Sequence, residues 1–224
     1  MMKKVQGFLL LSSLAGIVLL AVPAHSQKAW EEKPYTEWSK SEAIGILMDS
    51  PWAQLRTEKL YNSETFTSIK LHSALPIRQA LVREKQLYLN YHKFTAADKA
   101  RFDGEVKEFL ECPDCHKYYM VTLSAGALSA LRHLSIQEVK PYVYLANEKG
   151  ERRALVSFVG PGAETYKVTF VFERFDDQGK PLITITNKKL YFKIEDKLLE
   201  SKTVPIAGFT FEVSKMIQNG FVVF

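Results

Sequence analysis

The chain has 224 residues, 46% of them apolar, with 30 Lys and Arg against 25 Asp and Glu and a formal net charge of +5. The charges are interspersed, with no long basic block, which excludes nucleic acid and an anionic membrane surface as expected partners. Two cysteines are too few for a disulfide framework, so an apolar core must supply most of the stability.

Residues 1–26 read as a secretory signal peptide. Lys3 and Lys4 form a basic head, residues 8–22 are apolar apart from Ser12 and Ser13, and Pro23 breaks the run. Ala24 and Ser26 then place small residues at the positions a signal peptidase requires, with Gln27 as the new N-terminus. The apolar run is short of the roughly 20 residues a membrane span needs, so no span is expected after cleavage. No cysteine lies near the cut, which argues against a lipid anchor. Cleavage removes Lys3 and Lys4 and leaves a weakly basic chain with a periplasmic or secreted destination.

Residues 27–135 read as a mainly helical region. Ser39 with Glu42 has the spacing of a capping box, and Ile44, Leu47 and Met48 form a stripe that ends before Pro51. Residues 66–74 alternate as a strand. Pro76 is placed to open a second helix with Ile77, Ala80, Leu81, Leu87, Tyr88 and Tyr91 on one side. Thr95 with Asp98 predicts another cap, followed by Phe102, Val106, Phe109 and Leu110 at helical spacing up to Cys112-Pro113. A strand over 118–124 and a small helix around Leu128 and Leu131 complete this half.

From residue 136 to 224 the period changes to two. Val168, Phe170 and Phe172 alternate with polar neighbours, as do Leu190, Phe192 and Ile194, and Phe209, Phe211 and Val213. Turn chemistry at 148–151 and 176–181 separates such runs. Short strands joined by turns imply an antiparallel sheet, so the fold class is α+β: a helical N-terminal half, then a sandwich-like or barrel-like antiparallel sheet. One shared core for the two halves is compatible with this pattern.

Residues 111–119, ECPDCHKYY, hold both cysteines, with two residues between them and His116 directly after. Covalent haem attachment uses two thiols and a following histidine on iron. Over residues 106–116, a helix running into CPDCH resembles the cytochrome c family. That resemblance implies Cys112 and Cys115 as thioether anchors, His116 as proximal ligand and haem c as cofactor. The β-favouring run at 118–121 departs from the family's Gly-rich loop. No sixth ligand is supported either: Met120 is too close, and His133 and Met216 have no accompanying motif. Redox exchange favours a CxxC at a helix N-terminus, where the dipole lowers the thiol pKa. Here the helix precedes the pair and puts Cys112 at its negative end. Zinc needs four ligands, and beyond Cys112, Cys115 and His116 no fourth has ligand spacing, so no metal is expected. In an oxidising compartment two cysteines this close pair. A structural disulfide is therefore the expectation, its small loop contributing about 1–2 kcal/mol. A monohaem electron carrier is the alternative.

No nucleophile elbow, phosphate loop, dinucleotide fingerprint or HExxH pair is present, and no catalytic residue is assigned. Asp176 and Asp177 read as a solvated turn, and Glu105, Glu108 and Glu111 as a solvated helix face. Trp38 and Trp52 bracket the first long helix. Their large rings suit the core, with a contact surface for a partner as the functional alternative. The W…SPWA segment made by Trp38 and residues 50–53 resembles uncharacterised exported bacterial proteins with a strand-rich C-terminal half, a likeness that implies no activity. The functional expectation is an exported, non-enzymatic envelope protein. It would bind another protein or a small ligand through loops or a sheet edge, without a cofactor unless the haem alternative holds.

Overall fold

A computed structural model describes residues 29–60, 63–161, 166–199 and 208–224. The expected signal peptide, residues 1–26, lies outside the described residues. The chain opens with α1 (Ala29–Glu32) and α2 (Lys40–Met48), then β1 (Asp49–Ser50), β2 (Ala53–Leu60) and β3 (Ser63–Leu71). Next come α3 (Leu75–Tyr88), α4 (Ala96–Glu111), β4 (Tyr118–Ser124), a 3-10 helix (Gly126–His133) and α5 (Ile136–Val139). The remainder is β5 (Val143–Asn147), β6 (Arg152–Val159), β7 (Lys167–Glu173), β8 (Lys189–Ile194), α6 (Asp196–Leu199), β9 (Phe209–Glu212), β10 (Ile217–Gln218) and β11 (Phe221–Val222).

The fold is α+β, as expected, with the longer helices in the first half. β1 to β9 form one antiparallel sheet in the order β1-β2-β3-β4-β7-β6-β5-β8-β9, curled into a half-barrel. The β4–β7 ladder joins the strands of the first half to those of the second, in register from Tyr118↔Glu173 to Ser124↔Lys167. Its inward side chains Tyr119, Val121, Leu123, Val168, Phe170 and Phe172 are fully buried. They belong to a buried cluster that runs from Ala29 to Phe224 and draws on both halves.

Local chemistry accounts for the helix starts. Ser39 Oγ accepts from Glu42 N, and Glu42 Oε2 accepts from Ser39 N at 2.7 Å, completing the capping box. The Ser39 backbone N–H first, and Lys33 beside it, hold the Glu42 carboxyl below its ordinary pKa. Thr95 caps α4 through Asp98 N, and α4 ends at Glu111, before Cys112-Pro113 as the sequence predicts.

The buried faces differ from the sequence expectation. On α2 the buried residues are Ala43, Ile46 and Leu47, while Met48 is exposed. On α3, Ile77 and Ala80 are buried as expected, but Tyr88 is 83% exposed. Tyr91 leaves that stripe to pack with Phe94 and Phe102 where α4 folds back. Of α4's apolar residues only Phe102 is buried, because the helix covers the flank of α3 rather than the centre of the core.

Strand β2 is absent from the sequence reading. Gln54 and Arg56 stand opposite Ile69 and Thr67, so these two polar residues occupy the core-facing side of the strand. Ala53 and Leu55 alternate with them, so the period of two is present but its inward positions are polar rather than apolar.

Candidate functional site

The half-barrel closes on itself through side chains. β9 hydrogen-bonds along one edge to β8, and its other edge faces β2. Gln54 Nε2 donates to Thr210 O at 2.7 Å, and Arg56 Nη2 donates to Gly208 O at 3.2 Å. The Arg56 guanidinium also lies 4.0 Å from the centroid of the Phe209 ring. Backbone-paired strands lie about 4.8 Å apart, so a seam spanned by side chains is wider than a ladder. Gly208 is required where β9 begins: a Cβ there would stand 2.9 Å from Phe192 O and 2.8 Å from the Lys193 side chain.

A cleft of about 590 Å³ opens along this seam. Trp30, Asp49 and Gln54 line one side, and Thr210, Glu212 and Lys215 the other. Glu31 adds a third carboxylate, leaving Lys215 as the single cationic residue in the lining. Glu212 accepts from Lys215 at 2.8 Å, and this bond holds its carboxyl below the ordinary range. The wall is formed by a tight hairpin: Ser50 pairs with Ala53 across Pro51-Trp52, and Ser50 Oγ accepts from Trp52 N.

Trp38 and Trp52 are 1% and 0% exposed, so both rings lie in the core as expected, and neither offers ring area for the alternative, a contact surface for a partner. Trp38 Nε1 donates to Ala29 O and Lys33 O, bolting α1 to the core. Trp52 Nε1 donates to Val223 O at 2.7 Å and ties the hairpin to the C-terminal segment. The indole that reaches the cleft is Trp30, edge-on to Trp52 at 5.3 Å, its Nε1 shielded from solvent without a partner among the described residues. Sequence reasoning missed Trp30, Gln54 and Arg56; the alternation of AQLRTEKL was the available signal.

A second constellation surrounds the CxxC pair. Cys112 and Cys115 form a disulfide between the end of α4 and the 3-10 turn Pro113–His116 that leads to β4. Cys112 is half-buried and Cys115 buried, whereas His116 is exposed. The sulfurs that haem attachment would use are thus bonded to one another. Arg78, on α3, is buried at 5% exposure and donates to Ser73 O, to Leu110 O at 3.1 Å and to Cys115 Sγ at 3.2 Å. Burial pulls its pKa down to about 10. Arg174 approaches from the other side and donates to Cys115 O at 3.0 Å. Arg78 also escaped sequence reasoning, although Arg78, Val82 and Gln86 recur at i, i+4, i+8 as a second buried face of α3.

The remaining candidates are placed as solvated groups. Glu105, Glu108 and Glu111 are exposed on α4, and Asp176 Oδ1 accepts from the backbone of Gln178 and Lys180 in a turn. Among the described residues no group of three or more His, Cys, Asp or Glu could hold a metal ion. None of the described helices is long and apolar enough to cross a membrane. No protein-family model, curated protein or solved structure matches the chain.

Proposed function

We propose that the protein is exported and acts as a non-enzymatic binding protein. Its ligand seat would be the seam cleft, and its ligand a short, extended, basic peptide segment of a partner. The observation that carries this reading is the seam itself, a sheet closed by side chains beside a cleft with three carboxylates and one ammonium. A strand edge supplies backbone groups that read an extended chain, and the excess of carboxylates selects lysine or arginine side chains. The Trp30 indole adds an aromatic face for the same cations.

Titration of the mature protein with a short lysine-rich peptide and with its glutamate counterpart, followed by tryptophan fluorescence, tests the seat. The basic peptide is expected to bind, and added salt to weaken it. Replacing Glu31, Asp49 and Glu212 by their amides should cost about five- to tenfold in affinity, as exposed pairs contribute about 0.2–1 kcal/mol each. Equal binding of the acidic peptide, or no effect of the triple replacement, would overturn the reading. Intact mass of the exported protein tests the rest. A chain beginning at Gln27 and two hydrogens lighter than its reduced form supports it, and a gain of one haem replaces it with electron transfer.

A further inference from the structure

The buried guanidinium of Arg78 is not explained by stability alone. A cation taken out of water is costly unless a carboxylate or a full set of acceptors compensates it. Among the described residues Arg78 has no carboxylate at ion-pair distance, and its Nε has no partner. Two of its bonds cap backbone carbonyls, one of them Leu110 O in the last turn of α4. The third goes to a disulfide sulfur, which is a weak acceptor. A thiolate in the same place would form an ion pair with the guanidinium, which an uncharged disulfide sulfur cannot. The surroundings of Cys115 therefore suit the reduced pair better than the oxidised one.

We propose that the Cys112–Cys115 disulfide is exchange-active, with a partner thiolate attacking the half-exposed Cys112 sulfur and Cys115 leaving as a thiolate held by Arg78. The first step forms a partner–Cys112 disulfide and breaks the Cys112–Cys115 bond. A second thiol of the same partner then attacks its own sulfur in that mixed disulfide. Cys112 leaves and takes up the proton of the second thiol. The partner, a dithiol, loses two electrons and becomes a disulfide, and the CxxC pair gains them. Stabilising the reduced form in this way makes a disulfide oxidising. The exposed Pro113, Asp114, His116 and Lys117 leave the approach to Cys112 open. The charged groups around the pair are Arg78 from α3, Arg174 after β7 and Lys117 after the turn, against Glu111 and Asp114 at the end of α4 and on the turn.

The test is equilibration of the folded mature protein with glutathione mixtures, followed by alkylation of free thiols and mass analysis. The wild-type pair should be reduced reversibly. Arg78→Met should lower the equilibrium constant for reduction at least tenfold, and Arg78→Lys should restore part of it. A role limited to capping α4 would lower the melting temperature of both variants and leave the redox equilibrium within twofold, overturning the proposal. If Arg78→Met does not fold, the thiolate absorbance of reduced wild-type protein decides. Ionisation of one cysteine well below the free-thiol value of about 8.5 supports the proposal, and ionisation at or above it sinks it.

Discussion

The same sheet is joined in two ways. Across β4 and β7 the backbones pair over seven registered positions, and the inward side chains of both strands are buried. Across β2 and β9 the join is two side chains, Gln54 and Arg56, reaching carbonyls on the facing edge. A backbone ladder tolerates many sequences because every residue except proline carries the same donor and acceptor. A side-chain join exists only while those residues are present. The centre therefore resists through packing, and the seam is the part of the sheet where a change of residue or a competing ligand can act.

Breaking the centre should cost most. Phe170→Ala removes a fully buried ring that packs between Phe158 and Phe192 and should lose about 3–5 kcal/mol in denaturant unfolding. Gly208→Ala sharpens the comparison, because its methyl would meet the backbone of β8 at the start of β9 rather than the seam. Overpacking there should cost about 1–3 kcal/mol by the same measurement. Gln54→Ala should cost least, about 0.5–1 kcal/mol for one exposed hydrogen bond. It should nevertheless speed amide exchange in β9 and leave β4 and β7 unchanged. A Gln54 variant as damaging as Phe170→Ala would erase the distinction between the two joins.

The same distinction decides what could be read from the sequence. The strand over 118–124 was legible because YYMVTLS is dominated by aromatic and β-branched residues, which suit a strand in the middle of a sheet. The caps at Ser39 and Thr95 were legible because capping is local chemistry. β2 was not, since its inward side chains answer to β9, which lies far along the chain. The face of α3 was read only in part: Ile77 and Ala80 belong to the core, but the Arg78 face is buried against α4 and the CxxC turn. The candidate cleft was invisible for a related reason. Trp38 and Trp52 carry the conspicuous motif and are spent on anchoring, while Trp30, outside it, supplies the cleft wall.

The side-chain seam also has a kinetic consequence. The Gln54–Thr210 bond spans 156 positions, and the Trp52–Val223 bond 171. Loop closure over such distances comes late, after local hairpins such as β2–β3 have formed. Until β9 arrives, β2 beyond its short pairing with β1 at Ala53 and Gln54 has an open side, the geometry that invites association between chains. An inward-pointing Arg56 beside Gln54 makes that edge a poor template for another apolar strand. The residues that finally close the half-barrel thus also protect it while it waits.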